Sequence, residues 1–172
     1  YKTNMTSYTS QLEDIGFCND RTYYNFDTSG WNKDYSNYNK PSYFSVNYRL
    51  FNKTPSLVCP RQIDKFTVST NNGNGALTYP VGLITAEEMA FAGGVVQQTN
   101  TSYYLYNGIN NWTMSPYYFS NWGSLTFYLD STGAFGTYYG GGLLGIRPVI
   151  SLKKGTVLSS GNGSTAAPYI VG

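Results

Sequence analysis

The chain has 172 residues, a net charge of +2, only 12% charged side chains and 17% aromatics. Its Lys and Arg are scattered and form no basic stripe, which argues against nucleic-acid binding, while the aromatics supply enough apolar surface for a folded chain. There is no His, so Ser-His-Asp and Cys-His catalysis is excluded and zinc lacks its usual ligand.

The length suits one domain, residues 1–172, with a sizeable core. No apolar run approaches the roughly 18 residues that span a bilayer, so no membrane insertion is expected within this chain. It opens at Tyr1 without Met. The expectation is a processed form or an excised piece, with any signal or anchor removed or lying outside it.

Met5, Tyr8, Leu12 and Ile15 recur at spacings of three and four. They predict a helix over 5–15, continuing upstream, with Gly16 as its left-handed stop. Residues 19–48 are polar and aromatic without clear periodicity, a long loop that must be functional or pinned. Cys18 and Cys59 are placed to pin it. A disulfide is preferred over two unrelated buried thiols, and it implies an oxidising compartment.

A short strand is expected within 49–58 and another over 64–69, with a turn at 71–75. Leu77 to Ile84 reads as a buried strand running into a second helix. Thr85 and Glu88 have the spacing of a capping box, and Gly93-Gly94 end that helix. Beyond it the pattern is β. Asn107-Gly108 predicts a hairpin between 103–106 and 109–114. Residues 130–133 predict a second one between 124–129 and 134–139. A strand over 146–152 carries Pro148, which argues for an edge or a bulge. The turn at 161–163 leads into a terminal strand over 169–171. Two helices followed by an antiparallel sheet make an α+β chain.

Catalytic chemistry is hard to find. Glu13-Asp14 and Glu87-Glu88 are sequence neighbours, so on helices each pair diverges by about 100° and reads as capping or solvated surface. Asp20, Asp27, Asp34, Asp64 and Asp130 could meet only through the fold. A two-carboxylate glycosidase site has nothing pointing to it. No glycine-rich phosphate loop opens a helix, and Asn71 to Asn74 offers a turn rather than a calcium site. Neither cofactor nor metal is expected.

Residues 103–142 carry the strongest functional signal. Tyr, Asn, Ser, Gly and Trp crowd them and charge is nearly absent. Rigid aromatics give contact area at low entropic cost, and amides adapt their hydrogen bonds. The candidate contact residues are Asn110, Asn111, Tyr117, Tyr118, Asn121, Trp122, Phe135, Tyr138 and Tyr139. The period of two turns some of them inward, but an exposed aromatic patch is expected of the group.

Trp112-Thr-Met-Ser-Pro116, followed by Gly145-Ile-Arg-Pro-Val-Ile-Ser-Leu152, resembles C-type-lectin-like domains of the formylglycine-generating-enzyme type in bacterial surface and pilin-like proteins. There a W-x-x-S-P strand pairs with a closing G-[VI]-R-P-V strand. Further likenesses lie at Phe17–Arg21, Leu57–Pro60, Asp64–Thr67, Leu77–Thr85 and Ala92–Gly94. The resemblance implies a compact α+β domain whose C-terminal sheet presents variable loops, a secreted, cell-surface or pilus location, and a pilin-like helix upstream. It implies Trp112 as a core residue. Arg147, in an apolar strand, reads as a structural clamp bonded to carbonyls. Two departures matter. No cysteine follows Cys59, against formylglycine-generating chemistry, and no Pro or Trp has the flanks of a calcium-dependent sugar site.

The expected function is therefore a non-enzymatic ligand-binding or adhesion domain, with a protein or glycan receptor on another cell as partner. A sharper version is a retroelement-diversified variable protein, whose adenine-directed mutation enriches Asn, Tyr, Ser, Asp and Gly. The alternative is a structural pilus or filament subunit whose aromatic surface packs against neighbouring copies.

Overall fold

The computed structural model describes residues 9–24, 42–120, 123–164 and 166–172. The fold is mixed α+β, dominated by short strands. Its centre is a five-stranded sheet built from β2 (Ser42–Tyr43), β5 (Val95–Val96), β6 (Asn111–Ser120), β7 (Gly123–Leu129) and β8 (Ala134–Tyr139), in the order β2-β6-β7-β8-β5. Every pairing is antiparallel except that of β5, which joins the β8 edge in parallel. Three small antiparallel pairs surround it. They join β1 (Phe17–Cys18) to β3 (Lys65–Phe66), β4 (Gly82–Leu83) to β9 (Pro148–Val149), and β10 (Leu158–Ser160) to β11 (Ile170–Val171).

Two short helices, α1 (Ser45–Phe51) and α2 (Ala86–Phe91), cover the inner face of the sheet. Val46 and Leu50 of α1 sit at i and i+4, so one face of that helix is apolar. They meet Ala86 and Met89 of α2, Phe127 and Leu129 of β7, Phe135 of β8, and Tyr103 in one core cluster. Full burial of Phe127 and Leu129 is worth about 1.5–3 kcal/mol each. The start of α2 follows its sequence. Glu88 N–H donates to the Thr85 hydroxyl, and Thr85 N–H donates back to the Glu88 carboxylate at 2.8 Å. Ser115 of β6 adds a further cap, its Oγ accepting from Ala86 N–H at 2.9 Å.

The hairpin at 130–133 forms as expected. The Asp130 carboxylate accepts from Thr132 and Ala134 N–H, and Gly133 turns at φ 80°. A Cβ on Gly133 would stand 1.8 Å from the Asn100 carbonyl oxygen, so this position tolerates only glycine. The Cys18–Cys59 disulfide is present and closes a separation of 41 residues. Ser115-Pro116 lies where the β6–β7 register shifts, a bulge within a long strand.

Several local expectations yield to tertiary pairing. Of the helix over 5–15, residues 5–8 lie outside the described residues. The rest is a single 3-10 turn, Thr9–Gln11, after which Leu12 pairs with Leu152 and Glu13 N–H donates to Ser151. Gly16 is not in a left-handed conformation. It packs against Lys65, where an added Cβ would come within 3.0 Å. The strand expected within 49–58 is instead the end of α1 and an irregular strap. The strands over 64–69, 77–84 and 146–152 shrink to the two-residue β3, β4 and β9. The hairpin at Asn107-Gly108 does not form. Asn107 accepts from Ile109 N–H and from the Asn111 amide, a local turn, and Tyr103 drops into the core. The N-terminal half also contributes β2, so the sheet is not confined to the C-terminal half.

Buried charge ties the N-terminal half together. Arg49 of α1 bridges Glu87 of α2 at 2.6 Å and Asp20 at 2.7 Å. Both acidic residues are buried, which corrects the reading of Glu87 as solvated surface. Burial alone would lower the Arg49 pKa, but its bonds to Glu87 and Asp20 outweigh that and raise it. Asp64 is fully buried and accepts from Arg21 and Arg61 at 2.8 and 3.0 Å. Burial pushes its pKa upward, yet these guanidinium bonds hold it below its ordinary value.

Candidate functional site

The alternation along β7 separates the two faces of the sheet. Leu125, Phe127 and Leu129 share the inner face, and Ser124, Thr126 and Tyr128 share the outer one. Across the strands Tyr128 lies opposite Trp112 and Gly136, while Thr126 lies opposite Tyr138. The outer face therefore carries three rings together. Trp112 and Tyr128 are 6.4 Å apart edge-on, and each lies 6.3 Å from Tyr138. These are ordinary spacings for attracting aromatic pairs.

Glycines fit the rings to the backbone. An added Cβ on Gly136 would come within 2.6 Å of the Tyr128 ring, and one on Gly142 within 2.1 Å of the Tyr138 ring. Tyr128 thus lies across a bare stretch of β8, and the loop after β8 presses against Tyr138. Beside these rings Asn110, Gly141, Gly142, Leu143 and Leu144 complete a depression of about 570 Å³. A second, of about 540 Å³, adjoins it and shares Asn110, Leu143 and Leu144. Neither is lined by a charged side chain. Leu143 is 98% exposed and Tyr138 47%.

The structure divides the candidate contact residues. Asn110, Tyr138 and Tyr139 are exposed, and the first two line the depression. Tyr118 is half-buried beside Tyr43 at the β2 edge. Three side chains turn inward instead. Phe135 is 2% exposed in the core. Asn111 is buried, its amide donating to Asn107 and to the Ile109 carbonyl. Tyr117 packs edge-on against Phe127 at 5.1 Å, and burial followed by a bond to Tyr43 pushes its phenol well above the ordinary value. Asn121 and Trp122 lie outside the described residues.

Trp112 is corrected in the opposite sense. It is half-buried on the outer face rather than in the core, because even-numbered residues of β6 point away from the helices there. Arg147 is half-exposed and donates to the Leu105 carbonyl, so it does clamp a loop. Tyr128, Gly142, Leu143 and Leu144 were missed as site residues. The alternation of 124–129 signals Tyr128, but nothing local signals the loop.

Among the described residues no group of three or more His, Cys, Asp or Glu could hold a metal, and no helix is long and apolar enough to cross a membrane. Neither a family model, nor a curated protein, nor a solved structure matches the chain.

Proposed function

We propose that this is a non-enzymatic recognition domain with a C-type-lectin-like fold, displayed outside the cell or on a pilus, that engages a partner on another cell through the outer face of its sheet. The observation that carries this reading is the Trp112–Tyr128–Tyr138 tier beside an uncharged depression. Rigid rings at the rim of a shallow, uncharged hollow suit contact with another molecule. The disulfide suits an oxidising compartment.

The test is a binding screen of the whole chain against extracellular proteins and glycans, run beside Tyr138→Ser. A specific partner lost in the variant, with circular dichroism unchanged, supports the reading. No partner, or one the variant retains, defeats it.

A second reading, a filament subunit, is favoured by apolar side chains left exposed in the C-terminal region, including Ile146, Val157, Leu158 and Ile170. Concentration-dependent assembly in sedimentation, blocked by Val157→Ser or Ile170→Ser, would support it. A monomer at all concentrations would remove it.

A further inference from the structure

We infer that the double depression on the outer face is a site for a neutral saccharide of at least two rings, bound without a metal; this rests on the recognition reading above. Three observations combine. The first is the lining. It offers the Tyr138 and Tyr128 rings and the apolar Leu143 and Leu144, with no charged side chain in either half. A charged peptide or a sulfated chain would find no counter-charge there. A pyranose has an apolar face of C–H groups that can lie on a tyrosine ring and a periphery of hydroxyls that need partners.

The second observation is that such partners are free. The Tyr128 and Tyr138 hydroxyls have no hydrogen-bond partner among the described residues, nor do the backbone amides of Gly141, Leu143 and Leu144. Asn110 uses its Oδ1 to accept from Ser131 N–H at 2.7 Å. That bond occupies Oδ1 and leaves Nδ2 as a donor on a residue that lines both halves. Unpaired donors and acceptors around an apolar floor are what an uncharged polyhydroxylated ligand requires.

The third observation is shape and stiffness. The halves measure about 570 and about 540 Å³ and meet at Asn110, Leu143 and Leu144, each within the usual range of small-molecule sites. Two adjoining hollows favour a ligand with two linked units. Gly142 holds the loop against the Tyr138 ring, and Trp112 and Tyr128 brace that ring from the sheet. The ring is thereby ordered before the ligand arrives, so little entropy is lost on binding.

The experiment uses the whole oxidised chain with neutral di- and tetrasaccharides of glucose, galactose, mannose and N-acetylglucosamine, and a sulfated disaccharide as control. Saturation-transfer NMR and calorimetry read the binding, with and without EDTA. The expected result is binding of at least one neutral saccharide, unchanged by EDTA and at least tenfold weaker in Tyr138→Ala. Leu143→Asp provides a second variant at a position too exposed to disturb folding, and it should weaken binding as strongly. Tyr138→Phe keeps the ring and loses only the hydroxyl, so it should weaken binding less than Tyr138→Ala.

Binding of no neutral saccharide overturns the inference, as does preference for the sulfated control or equal binding by both weakened variants. If saccharides fail while a protein partner is found and lost in Tyr138→Ala, the saccharide assignment falls and the recognition reading stands. If neither class binds, both fall.

Discussion

Replacing Arg49 by Met removes the one guanidinium that Asp20 and Glu87 share. Arg49 donates three hydrogen bonds in this cluster, at 2.6 and 2.9 Å to Glu87 and 2.7 Å to Asp20. Both carboxylates are nearly sealed from water, so the substitution strands two buried negative charges. Breaking a buried pair by removing one partner costs about 3–5 kcal/mol. The lower end applies here. Glu87 keeps a bond from Ser56 N–H, and Asp20 keeps two from Thr22. The expected loss is about 3 kcal/mol, or a fall in Tm of about 6–12 °C for a chain of this size. Urea unfolding followed by circular dichroism, in oxidising buffer, measures it. Arg49→Lys should recover only part, because one ammonium cannot span both carboxylates. Adding Glu87→Gln to Arg49→Met should restore stability relative to Arg49→Met alone. A loss below about 1 kcal/mol for Arg49→Met would refute the reasoning, since exposed pairs behave that way.

Reducing the Cys18–Cys59 bridge, or changing both cysteines to Ser, should cost roughly 4 kcal/mol for a loop of this length, read as a lower urea midpoint. Gly133→Ala should destabilise by at least about 1–3 kcal/mol, because φ is 80° and the new methyl meets the Asn100 carbonyl; a neutral result would mean that the 130–133 turn is not as described. The folded pKa of Asp64 lies below its ordinary 3.8. Its contribution is therefore complete above about pH 5 and lost as the pH falls through the depressed value, so acid unfolding of Asp64→Asn should show a shallower limb than the parent. Tyr117 has a raised folded pKa. Its contribution is present below the ordinary value of 10.0 and lost as the pH rises toward the folded one, so absorbance at alkaline pH should show a late tyrosine that ionises with unfolding and is absent in Tyr117→Phe.

What the sequence by itself determined is chemistry that acts over a few residues. The Thr85–Glu88 cap, the Asp130–Gly133 hairpin and the terminal turn at 161–163 all formed, because each is a local contest between side-chain and backbone hydrogen bonds. The cysteine pair was legible because Cys18 and Cys59 flank a long aperiodic stretch that a bridge would pin, which favoured a disulfide over two buried thiols. The aromatic, uncharged segment drew attention to 103–142, and within it Asn110 and Tyr138 line the outer hollow.

Only the tertiary structure decided where those aromatics point. Phe135 and Tyr138 lie three residues apart on one strand, and the pleat sends them to opposite faces. Which face is the core depends on where α1 and α2 dock, and α1 itself was hidden because its Val46 and Leu50 sit among Tyr, Asn and Ser. The helix pattern at the N-terminus gave way for a related reason. A few apolar residues at helical spacing stabilise little in isolation, and pairing of Leu12 with Leu152 buries the same leucine against a distant partner. The hollow beside Tyr138 needs the loop at 141–144 to fold back beside Asn110, and long-range closure of that kind leaves no periodic mark in the chain.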